Sequence, residues 1–119
     1  MISYHASPLS SGAAGKVKGG DRLPWAAGAA IDNFAPTGAV GWQVHVYGSA
    51  GDELEEWCHR AGLALRVFPW ELAHEEAGLQ HSAAYLVRPD GYVALAEPHG
   101  SPEALQRYFR ERGYLRFGA

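Results

Sequence analysis

One cysteine, six histidines and thirteen carboxylates are the groups of this 119-residue chain that could carry covalent, metal or acid–base chemistry. Cys58 is the only thiol, which excludes an internal disulfide. It shares a helical face with Leu54, Trp57 and Ala61, where burial would raise a thiol pKa, so Cys58 is expected to pack in the core. Glu55 and His59 stand at i, i+4, as do Glu71 and Glu75, and His74-Glu75-Glu76 adds donors. No His-Glu-x-x-His or paired Cys/His spacing appears, so ion pairs and solvated faces account for them and no metal site is expected. His81-Ser82 precedes a strand without a carboxylate placed to complete a triad, and no catalytic residue is expected. His45 alternates with Val44 and Val46 and should point away from them. Gly12, Gly15, Gly19 and Gly20 lack the spacing and the preceding strand of a dinucleotide fingerprint, leaving no cofactor-binding residue.

These groups must be held by elements that the pattern makes legible. Trp42, Val44 and Val46 alternate with Gln43, His45 and Tyr47, the period of a strand. Gly48-Ser49-Ala50-Gly51 turns the chain. Asp52 with Glu55 three positions on predicts a capping box for a helix that carries Leu54, Trp57, Cys58 and Ala61 inward and ends at Gly62. Leu63, Leu65 and Val67 alternate as the next strand. Pro69-Trp70-Glu71 opens a short helical turn that reaches Ala77 and stops at Gly78. Residues 83–87 and 92–96 are apolar runs joined through Arg88-Pro89-Asp90-Gly91, in which Pro presets φ and Gly accepts φ > 0: a hairpin. Arg88 and Asp90 should organise that turn. Ser101, Pro102 and Glu103 then start a helix with Leu105, Tyr108, Phe109 and Arg112 on one face, ending at Gly113.

Composition narrows the class. The chain has room for one core, and its net charge of −3, with no local cluster of Lys or Arg, offers no attraction to nucleic acid. No apolar run approaches a membrane span, and Met1-Ile2-Ser3-Tyr4-His5 has neither the basic region nor the apolar core of a signal peptide. The expectation is a soluble cytoplasmic domain. Residues 10–20 are Ser, Gly, Ala and Lys with little to bury and read as flexible linker, so 1–19 is assigned to an N-terminal extension and 20–119 to the domain. Gly20-Asp21-Arg22-Leu23-Pro24-Trp25 reads as an extended lead-in. Residues 26–30 fit a poor strand or a loop.

The order strand, helix, strand, short helix, strand, strand, helix is that of an α/β thioredoxin-like fold: a βαβ-ββα core in which helices flank a central mixed sheet. In an active thioredoxin a dithiol sits after the first core strand, at a helix start that lowers the thiol pKa. Here that place holds Gly48-Ser49-Ala50-Gly51. The proline expected before the third strand is also missing from Gln80-His81-Ser82-Ala83. The redox dithiol is absent.

Four stretches carry a resemblance: Tyr4…Ser7-Pro8-Leu9; Gly20-Asp21-Arg22-Leu23-Pro24; Val44-His45-Val46-Tyr47-Gly48; and Leu86-Val87-Arg88-Pro89-Asp90-Gly91-Tyr92-Val93-Ala94. In these the chain resembles the C-terminal domain of FAD-dependent aromatic-ring hydroxylases of the phenol hydroxylase and pentachlorophenol monooxygenase type. The last stretch is the most specific. The resemblance implies a thioredoxin-like domain that follows the flavin and substrate domains of an oxidoreductase, lacks redox cysteines and serves subunit contacts. FAD would belong to the full-length family and not to this chain.

The function expected is therefore a non-catalytic accessory domain mediating subunit or inter-domain contact, with a second copy or a flavoprotein domain as partner and neither nucleic acid nor membrane. Trp25, Trp70, Tyr114, Leu115 and Phe117, at element ends or in the tail, are the expected partner surface. The apolar stretch Tyr114-Leu115-Arg116-Phe117 either folds back or docks on a partner. Two other readings stay open. One is a small-molecule-binding module whose groove is lined by His45, Trp42 or Tyr47. The other is a stand-alone redox enzyme using Cys58.

Overall fold

A computed structural model describes residues 11–26, 28–29 and 41–111. The elements in order are β1 (Ser11–Ala14), β2 (Val17–Lys18), β3 (Gln43–Tyr47), α1 (Asp52–Ala61), β4 (Ala64–Phe68), α2 (Leu72–Glu76), β5 (Ala84–Val87), β6 (Val93–Glu97) and α3 (Pro102–Glu111). The six strands form one mixed sheet in the order β2-β1-β6-β5-β3-β4. β3 pairs parallel with β4 and antiparallel with β5, and β5 pairs antiparallel with β6. The chain is thus an α/β protein with a six-stranded mixed sheet and three helices among the described residues. None of those helices is long and apolar enough to cross a membrane.

Both faces of the sheet are covered, and alternation along β3 shows how. Val44 and Val46 face α1 and α3, packing with Leu54, Trp57, Cys58, Leu105, Tyr108 and Phe109. Tyr47 lies on the other face with Phe68, Tyr85, Leu79 and the residues Ala14, Val17 and Leu23 near the chain's start. A central strand buried on both faces reads as continuously apolar, and β5 is buried throughout. The hairpin closes as its turn chemistry predicts, with the Arg88 N–H donating to Tyr92 O at 2.8 Å and the Gly91 N–H to Arg88 O at 2.9 Å. Arg88 and Asp90 meet at 2.7 Å across the turn.

Helix starts differ in detail from expectation. The Asp52–Glu55 capping box does not form: Gly51 is the N-cap, with no side-chain cap, and the Glu55 N–H donates to Gly51 O at 3.0 Å. Asp52 stands one position inside, where its charge meets the helix dipole instead of an orphan amide. A real capping box sits at α2, between Glu71 and His74. At α3, Ser101 Oγ accepts the Glu103 N–H at 3.2 Å, as predicted. Arg112 and Gly113 lie outside the described residues.

The largest departure is at residues 11–18, expected as linker. They form the β1–β2 hairpin, and β1 runs parallel to β6. Ala14 and Val17 are buried, the Lys16 N–H donates to Gly78 O at 2.8 Å, and the Gly15 N–H donates to Gln80 Oε1 at 2.9 Å. The hydroxyl of Tyr85 donates to Ala14 O at 2.9 Å and accepts the Gln80 N–H at 2.8 Å. The partners of this segment are some sixty or more residues away, so its poverty in apolar side chains did not leave it free. The lead-in does run extended: the Gly20 N–H donates to Val93 O and the Leu23 N–H to Gly91 O, at 2.7 and 2.9 Å. The Tyr4…Leu9 island lies outside the described residues.

Candidate functional site

The place where thiol chemistry would sit is the carboxyl end of β3. Gly48 leaves the strand at φ +132°, its N–H donating to Phe68 O at 2.7 Å. A Cβ there would lie 2.8 Å from Ser82 Oγ and 2.9 Å from the His81 ring, so only glycine fits against this loop. Ser82 holds a φ of +62°, the one such non-glycine conformation among the described residues. Its N–H donates to Tyr47 O at 2.8 Å, and its Oγ accepts the Ser49 N–H at 3.1 Å. The His81 and Trp70 rings meet in a T-shaped contact with centroids 5.0 Å apart. Ser82 therefore ties the strand end to the start of the helix loop, and no carboxylate among the described residues bonds His81. The arrangement closes a backbone junction; it presents no activated nucleophile.

Cys58 stands far from that junction in chemical character. It is buried on α1, and desolvation pushes its thiol up to about 11. A thiol held protonated in the core should react with a maleimide at least a hundredfold more slowly in the native chain than in denaturant. Equal rates in the two conditions would return Cys58 to the list of reactive groups.

Beneath the junction lies a layer of rings. Tyr47 stacks on Phe68 at 4.8 Å and 14°, with His74 also 4.8 Å from Tyr47. His45 does point away from Val44 and Val46, into this layer. The oxygen of Gln43 can only accept, so His45 Nε2 carries the proton across 2.9 Å, and Nδ1 receives the Tyr47 hydroxyl at 3.0 Å. Burial, and after it the Arg66 charge, lower the His45 pKa to about 3. His45, Tyr47 and Trp42 do not share a groove. His45 and Tyr47 are 2% and 0% exposed, and Trp42 packs on the opposite face against Phe109 at 5.7 Å.

Among the described residues, no three His, Cys, Asp or Glu side chains gather in a way that would hold a metal ion. The glycines at 12–20 do not fit the diphosphate of FAD. They belong to a strand–turn–strand hairpin without a following helix, and the space a cradle would need at Gly12 is filled by Ala96 O, 2.2 Å from where its Cβ would stand. A shallow groove of about 490 Å³ runs between the starts of α1 and α3, and Asp52, Glu53 and Glu103 line it, so it repels anions.

Of the surface residues expected to meet a partner, the two that are described, Trp25 and Trp70, lie apart. Trp25 is 61% exposed and follows the lead-in bonded at Gly91, beside the 88–92 turn. Trp70 is half-buried against His74 and His81 at the opposite end of the sheet, after β4. Tyr114, Leu115 and Phe117 lie outside the described residues. The Glu71–His74 box escaped the sequence reading, although its i, i+3 spacing was the available signal. Nothing in the sequence foretold the positive φ of Ser82.

No protein-family model matches the chain, and no curated protein does. Solved structures do. RebC in its native and K252c-bound form superposes with a TM-score of 0.65 at 22% identity, over 96% of this chain and 23% of RebC. RebC soaked with chromopyrrolic acid, with 7-carboxy-K252c bound, gives 0.60 at 21% identity, over 95% of this chain and 23% of that one. The flavin-dependent monooxygenase PieE, in complex with FAD and substrate, gives 0.44 at 23% identity over 62% of this chain and 15% of PieE, too loose a likeness to weigh. At such identities the likeness to RebC is one of fold, and this chain spans 23% of RebC's length.

Proposed function

We propose that this chain is a non-catalytic accessory domain of thioredoxin-like fold, akin to the C-terminal part of a flavin-dependent aromatic-ring hydroxylase, and that it mediates subunit or inter-domain contact. The observation that carries the proposal is the junction at Gly48–Ser82. The position that a dithiol would use is closed by backbone and serine hydrogen bonds, and the single thiol is buried on the helix behind it. The match of nearly the whole chain to a 23% portion of RebC supports a part acting within a larger assembly. So do the motifs at Gly20-Asp21-Arg22-Leu23-Pro24 and around Arg88-Pro89-Asp90-Gly91.

The reaction of such an assembly belongs to its flavin domain. FAD there supplies the oxidising chemistry; this chain's residues bind, orient and bury surface. The partner is a second copy or a flavoprotein domain, and the contact surface includes Trp25, which holds most of its ring in solvent. Solution mass by light scattering, alone and with a flavin-domain protein encoded beside it, is the test. A stable homodimer or hetero-complex weakened at least tenfold by Trp25→Ala is expected. A monomer that binds neither overturns the reading.

A further inference from the structure

We propose that α2 is an acid-released latch: the neutral imidazole of His74 holds this helix on the sheet, and a proton on that ring frees it. The helix is five residues long, too short to persist by itself, and His74 is its only buried residue. Leu72, at its start, is 67% exposed. Within the helix that imidazole is the one buried anchor, flanked by the half-buried Trp70 before it and Ala77 after it.

The hydrogen bonds of that ring require it to be neutral. Nδ1 accepts the Glu71 N–H at 3.2 Å, closing the capping box whose other arm is the Glu71 carboxylate on the His74 backbone N–H. An accepting Nδ1 places the ring's one proton on Nε2, and Nε2 is buried without a hydrogen-bond partner. A second proton has only Nδ1 to occupy. There it turns the acceptor into a donor facing the Glu71 N–H and breaks the box.

The surroundings settle whether the fold tolerates that cation. Tyr47 of β3 faces the ring at 4.8 Å, Phe68 of β4 at 6.3 Å and Trp70 of the preceding loop at 5.8 Å. Behind them stand His45, neutral in its own hydrogen bonds, and Arg66, whose guanidinium lies over Phe68. His81 lies on the far side of Trp70, its ring against that of Trp70 and against Gly48. Glu71 is the carboxylate that favours the charged ring, and burial outweighs it, holding the His74 pKa below the ordinary value of 6.5. As pH falls below 6.5 the opened ring takes a proton that the docked ring refuses, so acid shifts the helix toward release.

Release is confined to residues 69–77. Beyond them Leu79 is buried and Gly78 O receives the Lys16 N–H, so the chain stays fastened to the β1–β2 turn. Trp70 moves with the helix, and the ring layer beneath it is uncovered.

Amide hydrogen exchange of the full chain at pH 7.5 and 5.0, corrected for intrinsic rates, tests this. The opening constant of residues 71–77 should rise several-fold and by no more than about thirtyfold, the limit set by one proton taken up over 1.5 pH units below 6.5. It should rise while β5 and β6 remain far better protected. His74→Gln, whose side-chain oxygen can still accept from Glu71, should show equal protection of 71–77 at both pH values. His45→Gln should leave that rise in place, and it serves as the second variant should His74→Gln fail to fold. Protection of 71–77 that does not change with pH, or that falls only to the level of the core strands, overturns the latch.

Discussion

Gly12→Ala is expected to detach the β1–β2 hairpin and to lower the unfolding free energy by about 3 kcal/mol. Two costs combine. Gly12 holds φ +77°, where an L side chain is strained, and its Cβ would lie 2.2 Å from Ala96 O. That oxygen is backbone of β6, so it can move only by breaking the β1–β6 pairing of Gly12 with Ala96. Detachment then strips Ala14 and Val17 from the second core and leaves the Tyr85 hydroxyl without Ala14 O. Urea denaturation should show the lower midpoint, and limited proteolysis should cut within residues 11–18 in the variant alone. An unchanged midpoint together with cleavage within residues 11–18 in wild type and variant alike would mean that the segment behaves as linker after all.

Acidification from pH 7 to 4.5 should remove about 3 kcal/mol of global stability, through His45. The sign follows from a pKa lowered on folding. His45 is neutral in the folded chain down to about pH 3, whereas the unfolded chain protonates it near 6.5. Below 6.5 the unfolded state binds a proton the folded state does not, so stability falls by about 1.4 kcal/mol per pH unit, and the loss continues to about pH 3. The exposed Glu103, its pKa lowered chiefly by the Ser101 hydroxyl, acts only as pH falls through the ordinary carboxylate value of 4.5, and leaves the window from 6.5 to 5 to histidine. Urea midpoints at pH 7.0, 6.0 and 5.0 measure the slope. His45→Gln should make it shallower, the slope that remains belonging to His74, and a wild-type midpoint that does not move between pH 6.5 and 5 would refute the assignment. The α2 latch is separable from this effect, because His74 opens a five-residue helix locally while His45 is locked inside β3.

Both expectations arise from groups whose environment is assembled by distant parts of the chain, and that is where sequence reading reached its limit. Helices α1 and α3 were legible because each repeats its buried side chains at helical spacing: Leu54, Trp57, Cys58 and Ala61, then Leu105, Tyr108 and Phe109. The β5–β6 hairpin was legible because Pro89 and Gly91 carry backbone preferences of their own. The absence of a dithiol followed from the count of thiols. These are local properties, set within a turn or two of the residue concerned.

The β1–β2 hairpin had no such signature. Gly15 finds Gln80 across 65 positions and Ala14 finds Tyr85 across 71, so its place depends on partners that composition cannot reveal. Alternation correctly put His45 opposite Val44 and Val46. Burial on that side, with Tyr47, Phe68 and His74 packed round it, came from the covering of both sheet faces. By itself the sequence determined the periodic elements, the hairpin turn and the want of a dithiol, since each rests on short-range sterics or on residue type. Tertiary structure alone decided that a glycine-rich lead would become an edge of the sheet and that two histidines would be held neutral, because hydrogen-bond partners and desolvation are supplied by chain remote in sequence.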